Sequence, residues 1–368
     1  MGATLANSGI WYLDKINKKW IQPWASGANY QFFFENKVGD VFLGSSAATY
    51  VMGLRNDNKA AFFPFGFVNY ANVRYYFEDP DTDILFASGS AANFGIWKYN
   101  YTTRAFAQIL TTGTNYDTFF KHKKTGKYFV SGQAANSGIL EYNPAGNNFV
   151  SKYSLGNNWR FFERSNGELY AWSTVSADQS ILKYNETTGN WDLFFTVGVN
   201  FTVASFYEDK SGEFFLNTGK LWLLDAGTFV DVYATTTAGT MVWNSWAEDN
   251  SGGLFVGGAG TGTASVGILK FNRTTRVFDL NYATNGGWRV FATKAGQIFA
   301  FSIVVSGFIR LYNPSTNVFD QVSTQSNMVY NLFTEDSKGR VWIAAGTSGG
   351  SGNPRRNIKI QSSSIGNK

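Results

Sequence analysis

Residues able to hold a ligand recur along this chain at near-constant intervals. Asparagine stands at Asn29, Asn72, Asn115 and Asn158, 43 residues apart each time, with Asn200 close to the same step and Asn327 as an outlying copy. An amide both donates and accepts, so a row of them suits sugar hydroxyls or the backbone of an extended segment; asparagine is equally at home in turns, where it bonds its own backbone. Aromatic residues follow directly at Tyr30, Tyr116 and Trp159, and Trp288 holds the same place further on. These are candidate stacking surfaces beside the amides.

Two residues after the asparagine, a polar side chain interrupts an apolar run: Gln31, Arg74, Asp117, Arg160, Asn244, Arg289 and Asn331. A buried polar group needs a partner. Asp117 has Arg74 one repeat before it and Arg160 one repeat after, so a structural ion pair with either or both is expected. Arg74, Arg160 and Arg289 are also the candidates for gripping an anionic or carbohydrate ligand. The binding set is therefore Asn29, Asn72, Asn115, Asn158, Tyr30, Tyr116, Trp159, Trp288, Arg74, Arg160 and Arg289.

Catalytic groups are scarce. The single histidine, His122, stands among Lys121, Lys123 and Lys124 and is expected to be solvated. With no cysteine there is no thiolate metal site, and no histidine cluster offers a zinc or haem site. Acidic pairs recur at Glu78-Asp79, Glu208-Asp209, Glu248-Asp249 and Glu335-Asp336. Recurrence marks them as parts of a repeat rather than one acid and one base. Asp79-Pro-Asp-Thr-Asp83 alternates carboxylates but lacks the glycine and glutamate of a calcium loop. No metal, cofactor or catalytic residue is expected, and asparagine sequons at Asn100, Asn185 and Asn272 follow from turn chemistry.

The bulk of the chain narrows the classes further. Its 368 residues are 44% hydrophobic, 18% aromatic and only 15% charged, which provides a core and excludes disorder. A net charge of +5 without basic runs does not point to nucleic acid. No apolar run is long enough to cross a bilayer and no secretion signal is legible, so membrane insertion is not expected.

What positions the recurring residues is a repeat of about 43 residues. Its plainest mark is Gly95-Ile-Trp-Lys-Tyr-Asn100, echoed by Gly138-Ile-Leu-Glu-Tyr-Asn143, Ser180-Ile-Leu-Lys-Tyr-Asn185, Gly267-Ile-Leu-Lys-Phe-Asn272 and Phe308-Ile-Arg-Leu-Tyr-Asn313. Each unit reads as four short strands separated by turns, and helical periodicity is absent. First turns fall at Gly39, Thr82, Gly126, Gly167, Gly212, Gly252, Gly296 and Gly339. The expectation is an all-β single domain over 1–368: a closed β-propeller of eight four-stranded blades, seven being the alternative. The chain opens with a third and a fourth strand and ends with a first and a second, so the termini should complete one blade. Asn357-Ile-Lys-Ile360 competes for the third place, within a segment 347–368 that otherwise reads as an extended tail.

Leu332-Phe-Thr-Glu-Asp-Ser-Lys-Gly-Arg-Val-Trp-Ile343, with Phe206-Tyr-Glu-Asp-Lys-Ser-Gly-Glu-Phe-Phe215 and Trp246-Ala-Glu-Asp-Asn-Ser-Gly-Gly-Leu-Phe255, resembles the propeller repeats of bacterial two-component-regulator sensors, and more weakly kelch-type repeats. The resemblance implies the fold and a tendency to bind ligands, and does not carry signalling. The composition favours a non-enzymatic binding or assembly module, with a carbohydrate or protein partner on the face bearing the Gly/Ser-rich loops. A virion component with neighbouring subunits, or another extracellular assembly, fits that composition. The alternatives are a polysaccharide lyase or hydrolase working at a channel mouth and a cytosolic protein-interaction propeller.

Overall fold

A computed structural model describes residues 10–14, 18–24, 30–45, 52–55, 58–64, 73–89, 94–111, 115–133, 137–156, 158–173, 180–197, 205–233, 241–260, 267–282, 287–302, 308–324, 328–347 and 356–360. Every regular element among them is a β-strand. The strands form seven antiparallel four-stranded sheets, each a simple meander, spanning 30–64, 73–110, 116–153, 159–196, 205–233, 241–282 and 288–324. They are called sheets 1 to 7 below. A three-stranded sheet 8 spans 328–360, and a two-stranded hairpin pairs Ile10–Asp14 with Lys19–Trp24. This is a β-propeller repeat. All eight expected pairs of first and second strands are present.

The first turns form as the sequence anticipates. Glycine takes a left-handed conformation at seven of them, for example φ 84° at Gly212 and 81° at Gly296, where a side chain would be strained. The turn opens on a side-chain acceptor: Asp209 Oδ1 takes the backbone N–H groups of Ser211 and Glu213, and Asp336 Oδ1 those of Lys338 and Arg340. Between third and fourth strands the motif's asparagine does similar work. Asn100, Asn185 and Asn272 each accept two N–H groups of the following turn through Oδ1, which gives the sequons their structural cause.

The chain divides into two compact units, Met1–Val199 and Asn200–Lys368. In the first, sheets 1 to 4 bury aromatic clusters between successive sheets. Phe42 meets Tyr76, Tyr99 and Phe106; Phe86 meets Phe119, Tyr142 and Phe149; Phe129 meets Phe161, Tyr184 and Trp191. In the second unit, Phe215 does the same with Trp246, Phe271 and Phe278, and Phe255 with Tyr312 and Phe319. One phenylalanine on the second strand of sheets 1, 2, 3, 5 and 6 thus docks into rings of the following sheet. Second strands such as Leu169–Ser173 and Ile298–Ser302 are buried on both faces, whereas the fourth strand Asn148–Tyr153 has only Phe149 fully buried. Sheets stacked face to face bury their middles and expose their last strands.

At the amino end the hairpin carries the same register slip near its first residue as the third-and-fourth-strand pairs elsewhere. Its Lys19–Trp24 packs beside the fourth strand of sheet 1, Asn58–Pro64, as the fourth strands of sheets 2 and 3 pack beside each other. At the carboxyl end the third place of sheet 8 is held by Arg356–Ile360, where Trp342 faces Lys359 as Phe255 faces Lys270 in sheet 6. The two segments that competed in the sequence therefore both form strands. Among the described residues the hairpin pairs only with itself, and sheet 8 has three strands of its own.

Candidate functional site

The polar residues at the starts of the first strands have a backbone cause that the sequence did not reveal. In sheets 1, 2, 3, 6 and 8 the pairing of first and second strands slips by one residue, and the unpaired residue is Gln31, Arg74, Asp117, Asn244 or Asn331. A bulge frees one residue from the alternation of the ladder and re-aims its side chain. Arg160 and Arg289 differ: they stay in register, opposite Trp172 and Phe301.

Asp117, Arg160, Gln133 and Thr118 come together at this end of sheets 3 and 4. Gln133 Nε2 donates to Asp117 Oδ2 at 2.7 Å, Arg160 Nη2 lies 3.4 Å from the same oxygen, and Thr118 donates to Asp117 Oδ1 at 3.1 Å. Arg160 Nη1 also donates to Thr118 Oγ1. The carboxylate is 4% exposed and the guanidinium side chain 38% exposed, so a buried acid orients an accessible cation and an exposed amide. Arg74 lies in strand Val73–Asp79, with its side chain outside the described residues. The same holds for the side chain of Tyr30 in strand Tyr30–Glu35, and Asn29 and Asn72 lie wholly outside them.

Asn115 and Asn158 are placed by backbone geometry. They adopt φ of 55° and 54°, a left-handed conformation that asparagine tolerates better than other residues with side chains. Their N–H groups donate to Gly89 O and Gly132 O at the end of the preceding sheet's second strand. The 43-residue period of asparagine is thus a seam between sheets.

The aromatic candidates require correction. Tyr116, Trp159 and Trp288 are 5%, 1% and 2% exposed and belong to the core, not to a stacking surface. Each opens a first strand and turns into the contact with the preceding sheet, where Trp159 meets Tyr153 edge-on and Trp288 meets Tyr282. Small polar residues of the preceding sheet fasten the same strands. Ser88 donates to Tyr116 O, Ser131 accepts the Trp159 N–H at 3.1 Å, and Asn217 donates to Trp243 O at 2.7 Å.

His122 is also corrected: it is buried, 0% exposed. It occupies the turn-opening place that Asp209 holds in sheet 5. Its Nε2 lies 2.9 Å from Gly167 O, the first turn of the next sheet, and its Nδ1 2.8 Å from Thr125 Oγ1. Flanking lysines suggested solvent, but it is Lys123 and Lys124 that are exposed, while Lys121 is half-buried against Asp79.

The acidic pairs also turn inward. Glu78, Glu163, Glu248 and Glu335 accept the backbone N–H of Lys37, Lys123, Lys210 and Lys294 in the first turn of the preceding sheet, at 2.9, 2.9, 2.9 and 2.6 Å. Asp79 is 2% exposed. Burial would raise its pKa, but Lys121, Tyr128, Thr82 and the Asp81 N–H outweigh it and hold the carboxyl well below the usual range. Among the described residues, no group of three or more His, Cys, Asp or Glu could hold a metal ion.

No protein-family model and no curated protein matches the sequence. Solved structures similar to it include the extracellular domain of a putative one-component system, BT4673, from B. thetaiotaomicron, at 14% identity and TM-score 0.40 over 86% of this chain and 50% of that one. This chain spans about half the length of that domain. Virginiamycin B lyase from Staphylococcus aureus aligns at 12% identity and TM-score 0.40 over 84% of this chain and 89% of its own. The dihydro-heme d1 dehydrogenase NirN aligns at 10% and 0.46 over 86% and 70%. At such values the likeness transfers no activity; the blade assignment rests on the strand ladders above.

Proposed function

We propose that this protein is a non-enzymatic binding and assembly module that engages an extended protein segment at the end of its sheets bearing the loops between second and third strands. The observation that supports this is the Asp117–Gln133–Arg160–Thr118 group. A buried carboxylate fixes a half-exposed guanidinium beside an exposed amide, and such groups match the carbonyls and N–H groups of an extended backbone. A carbohydrate at the same end is the weaker reading, because the rings meant to stack on it are core residues. Part of the same proposal is that eight blades make one closed body, the eighth being the three strands of sheet 8 completed by one strand from the amino-terminal segment. A neighbouring subunit of a virion or similar assembly is the partner that the composition favours.

Cross-linking mass spectrometry on the native assembly tests the reading. Contacts are expected at 131–137 and 154–160, and Arg160→Glu should abolish them while the circular-dichroism spectrum is retained. Cross-links confined to the first turns, or contacts indifferent to Arg160→Glu, would overturn it.

A further inference from the structure

The turn between third and fourth strands carries a feature that the fold does not require. In sheets 4, 6 and 7 the motif's asparagine donates through Nδ2 to an aspartate seven residues on: Asn185 to Asp192 at 2.9 Å, Asn272 to Asp279 at 3.0 Å and Asn313 to Asp320 at 3.0 Å. Sheets 2 and 3 build the same turn with Asn100 and Asn143, whose Oδ1 atoms hold it without any such acid. At the equivalent register those sheets have Ala107 and Val150. The aspartates are thus additions to a turn already complete. All three are exposed, and among the described residues each is bonded only through Oδ2.

A groove opens beside each pair. Their volumes are about 460 Å³ at Asn185–Asp192, 350 Å³ at Asn272–Asp279 and 600 Å³ at Asn313–Asp320. Each also has an exposed aliphatic in its lining: Leu193, 62% exposed, Leu280, 52%, and Val322, 36%. The third groove adds Asn250 and Gln297, whose side-chain amides have no partner among the described residues. A carboxylate with one oxygen open to solvent, an oriented amide and a small apolar surface are what a pyranose needs: an acceptor for vicinal hydroxyls and a surface for its C–H face. The volumes admit one sugar ring each. Among the described residues no groove presents an unpaired cation, since Lys270 is bound to Tyr312 and Asn317, Arg273 to Glu213 and Gly252 O, and Lys183 to Glu168, which disfavours an anionic ligand.

We propose that these three grooves are related binding sites for a neutral pyranose, independent of the loop-end group. The aspartate accepts the sugar hydroxyls, and Leu193, Leu280 or Val322 packs under the ring.

Saturation-transfer NMR of the intact chain with D-glucose, D-galactose, D-mannose, L-rhamnose and N-acetyl-D-glucosamine, each at tens of millimolar, tests this directly. At least one sugar should show transfer and titrate to three sites per chain. The combined D192A, D279A and D320A variant should weaken that binding by about tenfold or more, the loss expected for hydrogen bonds to a charged acceptor. Its melting temperature should stay within about 2 °C of the parent, because the asparagines still hold the turns. Arg160→Glu should leave sugar binding unchanged, which separates failure here from failure of the loop-end reading. Absence of transfer from every sugar, or transfer of parental strength in the triple variant, overturns the proposal; a triple variant that unfolds overturns the claim that the acids are dispensable to the turn.

Discussion

The two ends of each sheet carry similar numbers of recurring polar residues and use them in opposite ways. At the first-turn end, glutamates reach across to the preceding turn's backbone and aspartates fold their own turn, so the carboxylates are consumed and lysines such as Lys123 and Lys294 are left at the tips. At the loop end the seam is closed by neutral groups, Ser88, Ser131 and Asn217, and by the backbone of Asn115 and Asn158. The loop end instead keeps a fixed ion pair that the seam does not use, where Arg160 remains 38% exposed over a buried Asp117. Recurrence of a polar residue in a repeat protein marks a seam. A candidate for function is a polar residue beyond what the seam uses.

The largest effect that would break this contrast lies in the core behind the loop end. Trp159→Ala should destabilise the protein by about 3–5 kcal/mol, the range for removing a buried aromatic, as measured by urea unfolding. Loss of a partner with stability unchanged would restore Trp159 as a surface residue. Second in size is the turn-end stitch. Glu248→Ala leaves the Lys210 N–H without its acceptor and removes one of the carboxylates around Arg273, which keeps Asp209 and Glu213, and should cost about 1–3 kcal/mol. Asp117→Ala should cost less, about 1 kcal/mol, because the half-exposed Arg160 can turn to water. If Asp117→Ala proves costlier than Glu248→Ala, the two ends have been assigned the wrong way round.

Acid should separate the ends as well. Burial would raise the Glu168 pKa, yet Lys183, Asn166 and Arg164 lower it from an ordinary 4.5 to about 2. A carboxylate depressed on folding stabilises the native state above its unfolded pKa. That contribution is lost as pH falls from about 4.5 towards 2, and solvent screening keeps it near 1 kcal/mol. Glu168→Gln should flatten the pH dependence of unfolding in this window; an unaltered slope would show that other acids carry it.

Much of the architecture was legible in the sequence because the repeat fixes it. The Gly-Ile-Leu-Lys-Tyr-Asn motif and the glycine turns locate eight pairs of first and second strands, and apolar runs on both faces require stacking. Burial of individual residues was not legible. Trp159 and His122 stand in polar neighbourhoods along the chain, and only the contact with the adjoining sheet shows them enclosed. Nor could the bulge at Asp117 be seen, since a register slip depends on two strands at once. The Asn-to-Asp step of seven residues, in Asn185 to Asp192 and its two copies, was present in the sequence. It shows when the repeats are compared for what some of them lack.

The smallest effect discriminates most finely between seam and ligand group. Asn158 holds φ at 54° and donates its N–H to Gly132 O at 2.8 Å, which ties its choice of residue to backbone conformation. Glycine reaches that conformation without a steric penalty, whereas alanine meets the left-handed region at a cost of about 1–2 kcal/mol. Asn158→Gly should therefore be the more stable of the two variants, with Asn158→Ala below it by about 1 kcal/mol. A ligand-binding amide would give a different ranking: glycine and alanine would abolish binding alike, with stability indifferent to the choice. Unfolding and partner binding measured on the same two variants separate the cases, and a stability order with alanine above glycine would remove the backbone explanation of the 43-residue period.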